Sequence, residues 1–162
     1  MRSSEIRVKT EMEIDCFLAN IIGAKDSLLV QINQKLGLGL PIEEAKISNL
    51  NPKLKAINKG FLLTELNTLC SQTDSWLWLL NELRNHSLHR AMINKRASVQ
   101  VHENINSNTS VSAKPEVYLL INPRDINKVP MNKSAVTYLQ ESLQQMRDLI
   151  EAIRNKEPLL KQ

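Results

Sequence analysis

The sequence predicts an all-α fold, an antiparallel bundle with two long helices and a small β-hairpin inserted between them. Three observations carry the prediction. Apolar residues recur at three- and four-residue spacing over most of the chain, which is the period of a helix with one buried face. Only four glycines occur in 162 residues. The period shifts to two in just one region, near residues 97–121, where β-branched residues gather.

At 162 residues, with 42% hydrophobic and 23% charged side chains, the chain has the composition of one ordinary globular domain spanning 1–162. It is long enough to bury a core without disulfides or metals. No apolar run reaches the roughly 18 residues that a membrane span requires, and the start M-R-S-S-E-I-R-V-K-T-E-M-E has no apolar leader segment. The expected location is therefore the cytoplasm. Cys16 and Cys70 stand alone inside helical patterns and read as reduced thiols.

From Glu5 to Leu36, two adjacent apolar stripes predict a long first helix with a wide buried face. One stripe is Ile14, Phe17, Ile21, Leu28 and Ile32; the other is Leu18, Ile22, Leu29 and Leu36. Gly37-Leu38-Gly39-Leu40-Pro41 ends the helix, because glycine supplies the stop and proline bars continuation. Residues 42–59 read as irregular: a short helical turn over Ile42 to Ile47, then a loop at Ser48-Asn49-Leu50-Asn51-Pro52 with Pro52 starting the next turn. Phe61 to Cys70 forms a short helix on Leu62, Leu66 and Leu69. Ser71-Gln72-Thr73-Asp74 ends it and caps the helix that follows.

That next helix, Trp76 to Arg90, reads W-L-W-L-L-N-E-L-R-N-H-S-L-H-R. Leu79, Leu80 and Leu83, with Trp76 and Ser87, define its buried side; Asn81, Asn85, His86 and His89 fall on the other. Arg84 and His89 lie about 140° apart around the axis and roughly 7.5 Å apart along it. Beyond it, Ala97, Val99 and Val101 alternate with polar residues, and Val117 to Ile121 is β-rich, so a hairpin over about 96–122 is expected. Asn104 to Pro115 reads as a mobile loop between the strands, and Asn122-Pro123-Arg124-Asp125 as a closing turn. A second long helix runs from Pro130 to about Asn155. Its narrow seam of Val136, Leu139, Leu143, Met146, Ile150 and Ile153 suits packing along the first helix.

Net charge is +4, and the excess is local. Residues 51–100 hold seven Lys/Arg (Lys53, Lys55, Lys59, Arg84, Arg90, Lys95, Arg96) against three Asp/Glu. A polyanion is attracted by such a field. An imidazole that titrates near neutrality together with a guanidinium that grips phosphate oxygens suits phosphodiester transesterification, in which RNA brings its own nucleophile, the 2′-hydroxyl. Three structural readings stand beside this one. Cations in the last two turns of a helix favour the negative end of its dipole. His86 and His89, with Cys70 or His102, are a conceivable metal set, although no second ligand pair occurs at a matching spacing. Lys95 and Arg96 fit a solvated helix exit. Phosphate-binding glycine loops, paired catalytic carboxylates, nucleophile elbows and zinc spacings are missing from the sequence, which disfavours most common enzyme classes.

Arg84-Asn85-His86-Ser87-Leu88-His89 resembles the R-N-x-x-x-H form of the R-x(4-6)-H signature of HEPN domains. The long first helix with its G-L-G-L ending, the tryptophan-bearing approach to the motif and the Pro123-Arg124-Asp125 turn are loosely similar too. The resemblance implies an all-helical metal-independent endoribonuclease without a cofactor, a homodimer whose two motifs meet at one RNA-binding cleft, and a role as toxin or defence effector with an antitoxin protein as partner. It implies that Arg84 stabilises the pentavalent phosphate, that His89 is general acid or base, and that Asn85 orients the phosphate or the imidazole. Arg90, Lys95, Arg96 and Trp78 are expected to contact RNA, Trp78 by stacking on a base or by packing on the second subunit. The alternative within the family is a non-catalytic dimeric module that binds a protein or nucleotide partner. Ala91 stands where toxin members paired with nucleotidyltransferase antitoxins often carry tyrosine, so regulation through that tyrosine does not carry over.

Overall fold

A computed structural model describes residues 3–73, 75–89, 95–100, 114–119 and 134–161; of the side chains in these segments, those of 3–8, 10, 11, 86, 88, 89 and both strands are outside the description. The architecture is all-α. Among the described residues five α-helices make the body: α1 (Ser3–Lys35), α2 (Ile47–Ala56), α3 (Thr64–Ser71), α4 (Trp76–His89) and α5 (Ala135–Lys156). Short 3-10 turns at Ile42–Glu44, Gly60–Leu63 and Pro158–Lys161 join or finish them. No helix among the described residues is long and apolar enough to cross a membrane.

α1 spans 33 residues, about 50 Å, and is the element on which α2, α4 and α5 pack. Its two apolar stripes are both used: Ile14, Leu18, Ile21, Ile22, Leu28, Leu29 and Ile32 are buried, with Phe17 and Leu36 half-buried beside them. The helix ends in a Schellman motif. Gly37 takes a φ of +61°, Leu38 N–H donates to Asn33 O at 3.0 Å, and Gly37 N–H donates to Gln34 O at 3.2 Å. The buried Asn33 side chain then clasps the departing loop, donating to Leu40 O at 2.7 Å and accepting from Leu40 N–H at 3.1 Å.

The stretch expected as a loop at Ser48 to Pro52 lies instead inside α2, with Pro52 in the helix interior. Proline removes a hydrogen bond there and crowds the preceding turn. Leu50 and Leu54 are both completely buried four residues apart, and their transfer out of water offsets that cost. The cap of α4 also differs from expectation. It is Ser75, whose hydroxyl accepts from Trp78 N–H at 3.1 Å and donates to Leu69 O, tying α3 to α4.

α5 begins at the cap Ser134, whose hydroxyl accepts from Thr137 N–H at 3.2 Å. Its buried stripe is Ala135, Tyr138, Ser142, Met146, Leu149 and Ile153, rotated from the expected seam, which shares only Met146 and Ile153 with it. Val136 and Leu143 are 64% and 37% exposed. In this orientation Tyr138 turns inward and gives its hydroxyl to Trp76 O at 3.2 Å. Burial pushes the Tyr138 phenol up to about 12, so it remains a donor across the working pH range. At the other end of α5, Lys59 pairs with the buried Glu157, Lys156 with Glu65 at 3.5 Å, and Arg154 donates to Gln31 Oε1 at 3.1 Å. Short strands β1 (Lys95–Gln100) and β2 (Lys114–Leu119) form an antiparallel ladder with Ala97 opposite Val117. The loop and turn expected at 104–115 and 122–125 lie largely or wholly outside the described residues.

Candidate functional site

α4 carries the motif, and its orientation is set by four leucines. Leu77, Leu79, Leu80 and Leu83 are all buried, giving a buried arc wider than the leucine spacing expected from Leu79, Leu80 and Leu83 alone. Leu77 makes the difference. With it included, Asn81 moves from the polar side to the flank of the packed side: its Nδ2 donates to Leu77 O at 3.0 Å, and its Oδ1 accepts from Lys25 Nζ of α1 at 3.4 Å. Glu82 and Asn85 occupy the exposed side.

Arg84 is seven residues after Leu77 and four after Leu80, so it projects from the packed side of α4 near its end and is half-buried. Its Nε is shielded from solvent and has no hydrogen-bond partner among the described residues. No ion pair from Arg84 to a described residue occurs either. A buried guanidinium N–H without an acceptor is uncommon in a folded protein, because each such donor costs its full desolvation. Ser87, one turn further, is half-buried, and its hydroxyl donates to Asp15 Oδ1 of α1 at 2.5 Å. Asp15–Ser87 and Lys25–Asn81 run in opposite order along the two helices, so α1 and α4 are antiparallel.

The other expected site residues are placed as follows. Asn85 is exposed on α4. His89 is the last residue of α4, and its side chain, like that of His86, is outside the description. Arg90 lies wholly outside it; Lys95 and Arg96 open β1, without described side chains. Trp78 is half-buried and packs on the same core cluster as Trp76, so part of its indole is committed to the chain's own interior.

Cys70, a conceivable metal ligand by sequence, is half-buried beside Lys25 and Asn81. Burial pushes its thiol above the ordinary range, more than the Lys25 charge and the Asn81 hydrogen bond draw it down. Among the described residues no three His, Cys, Asp or Glu side chains come together as a metal site, and the side chains of His86 and His89 lie outside the description.

Two neighbours of the motif escape sequence reasoning. Asp15 is an exposed acid on a helix with many, and its partner is 72 positions away. Lys25 is likewise one surface lysine until its contact with Asn81, 56 positions on, is seen. Neither carries a spacing signal. Searches against protein-family models, curated proteins and solved structures find no match to this chain.

Proposed function

We propose that this protein is a metal-independent endoribonuclease of the HEPN kind, acting in the cytoplasm as a homodimer and serving as a toxin or defence effector held in check by an antitoxin protein. The observation that supports the reading most is Arg84. Its side chain leaves the packed side of α4, and its Nε is desolvated with no hydrogen-bond partner among the described residues, which suits the phosphate-clamp role that the R-N-x-x-x-H resemblance gives this position. A donor kept in that state is stabilised by an incoming anion, and more so when charge grows on the phosphate.

In the proposed reaction His89 removes the proton from the ribose 2′-hydroxyl. The 2′-oxygen attacks phosphorus, Arg84 holds the non-bridging oxygens, and the P–O5′ bond breaks as the leaving oxygen is protonated by an acid, in a dimer the second copy's imidazole. The products are a 2′,3′-cyclic phosphate and a 5′-hydroxyl end. Asn85 orients the phosphate or the imidazole from the exposed side of α4. Residues of about 96–122 form a β-hairpin appended after the motif helix, and Arg90, Lys95, Arg96 and the exposed part of Trp78 extend the RNA contact.

The test is cleavage of single-stranded RNA in EDTA by the wild-type protein beside Arg84→Ala and His89→Ala. Wild-type cleavage lost in both variants is expected. Equal cleavage by all three, or none by the wild type, sinks the reading.

One observation favours a second reading, a non-catalytic dimeric module for a protein or nucleotide partner. Val136 and Leu143 are exposed seven residues apart on α5, an apolar ridge at the spacing that helix pairing uses. Dimer mass lost on Leu143→Arg, in a protein without RNA cleavage, would select it.

A further inference from the structure

We infer that Asp15 of α1 is a positioning residue for the motif, holding the last turn of α4 through Ser87 so that Arg84 and His89 keep a fixed relation. The inference rests on the ribonuclease reading. The Ser87 hydroxyl donates to Asp15 Oδ1 at 2.5 Å, a short contact between side chains of two different helices. Ser87 sits inside the six-residue motif, three residues after Arg84 and two before His89. Ser87 lies about one turn after Arg84 and within the last turn that ends at His89, so the tie acts on the stretch of helix backbone between them.

Neither the helix dipole nor substrate attraction accounts for a carboxylate at this place. Ser87 lies in the final turn of α4, where unpaired carbonyls make the helix end negative and a second negative charge is disfavoured. A carboxylate beside the motif also repels RNA. Helix ends fray, and the last turn is the part of α4 least held by backbone hydrogen bonds. The bond from Ser87 to Asp15 on the neighbouring helix, made between side chains at the surface, restrains that turn. Lys25–Asn81 makes a second tie between the same two helices, ten residues further along α1, so the pair is fixed in register and not merely touching. Preorganisation of this kind acts on turnover more than on binding.

The experiment compares the full-length wild type with Asp15→Ala, Asp15→Asn, Ser87→Ala and Asp15→Ala/Ser87→Ala, measuring kcat and KM on single-stranded RNA, the thermal midpoint, and amide hydrogen exchange over residues 84–89. For Asp15→Ala the expected result is a fall in kcat of about tenfold or more, with KM unchanged or lower because a negative charge has gone. Asn retains an acceptor oxygen, so Asp15→Asn restores most of the turnover. Ser87→Ala matches Asp15→Ala, and the double variant loses no more than either, as one shared contact requires. Exchange at 84–89 quickens while α5 keeps its protection. Unchanged kcat in Asp15→Ala, unchanged exchange at 84–89, or turnover losses that merely follow the thermal midpoint would each overturn the inference and leave the ribonuclease reading intact. A wild type that cleaves nothing removes the reading and the positioning role together, whatever the exchange shows.

Discussion

Replacing Arg84 by methionine is expected to make the protein more stable while abolishing cleavage. The guanidinium Nε is shielded from water and has no partner among the described residues, and an unsatisfied buried donor costs about 1–3 kcal/mol. Against this, a cation near a helix C-terminus gains about 0.3–1 kcal/mol from the dipole. Methionine has nearly the same helix propensity as arginine and fills irregular apolar space next to Leu77 and Leu80. The balance favours methionine by about 1 kcal/mol, which for a chain of this size raises the thermal midpoint by about 2–4 °C. The assay is a pair of calorimetric melts at pH 7 with RNA cleavage measured on the same preparations. Arg84→Lys serves as the control, because it keeps the charge and loses the planar fork. A lower midpoint for Arg84→Met would mean that the guanidinium supports the fold and is not held at a cost to stability.

Two further outcomes follow from the ends of α1 and α5. The Glu157 carboxyl is held below the usual range, chiefly by the hydrogen bond from Lys59 and against its own desolvation. A folded-state value below the unfolded one contributes stability that is complete above the ordinary carboxylate pKa of about 4.3 and is lost as pH falls through the lower folded value. The wild-type melting temperature should therefore fall more steeply between about pH 5 and 3 than that of Glu157→Gln, which should already be lower at pH 7; parallel pH profiles would refute this. Asn33→Ala strands the Leu40 amide and carbonyl in a half-buried loop and should cost about 1–3 kcal/mol, read as a lower urea midpoint with an unchanged slope. Faster proteolysis within 37–41 should accompany it.

The helices are legible wherever burial alone decides them. α1 carries two full apolar stripes and a Gly-x-Gly-x-Pro stop, and both its buried face and its end fall where the periodicity places them. α2 is not legible because Pro52 is a local breaker signal, and only the three-dimensional fact that Leu50 and Leu54 meet the core outweighs it. The periodicity of α5 points to the seam through Val136 and Leu143, whereas the buried stripe includes Tyr138 and Ser142, and the Tyr138 hydroxyl reaches a carbonyl of α4, a contact between residues 62 positions apart. The site divides in the same way. The motif can be read from six consecutive letters, and Asn85 is exposed as its spacing implies. That Arg84 leans toward the packed side depends on Leu77, and the Asp15 and Lys25 ties depend on which face of α1 meets α4. Such pairings have no local signature, since both partners are ordinary polar residues on their own helices.

Both tryptophans of the chain, Trp76 and Trp78, belong to the first turn of α4, where the carbonyl of one receives the Tyr138 hydroxyl and the amide of the other is capped by Ser75. Indole fluorescence is consequently a private optical channel for one helix. Far-ultraviolet ellipticity, by contrast, is dominated by the 33 residues of α1 and the 22 of α5. Monitored together during denaturation, the two signals separate detachment of the motif helix from collapse of its scaffold, and their coincidence or divergence tells whether α4 opens on its own.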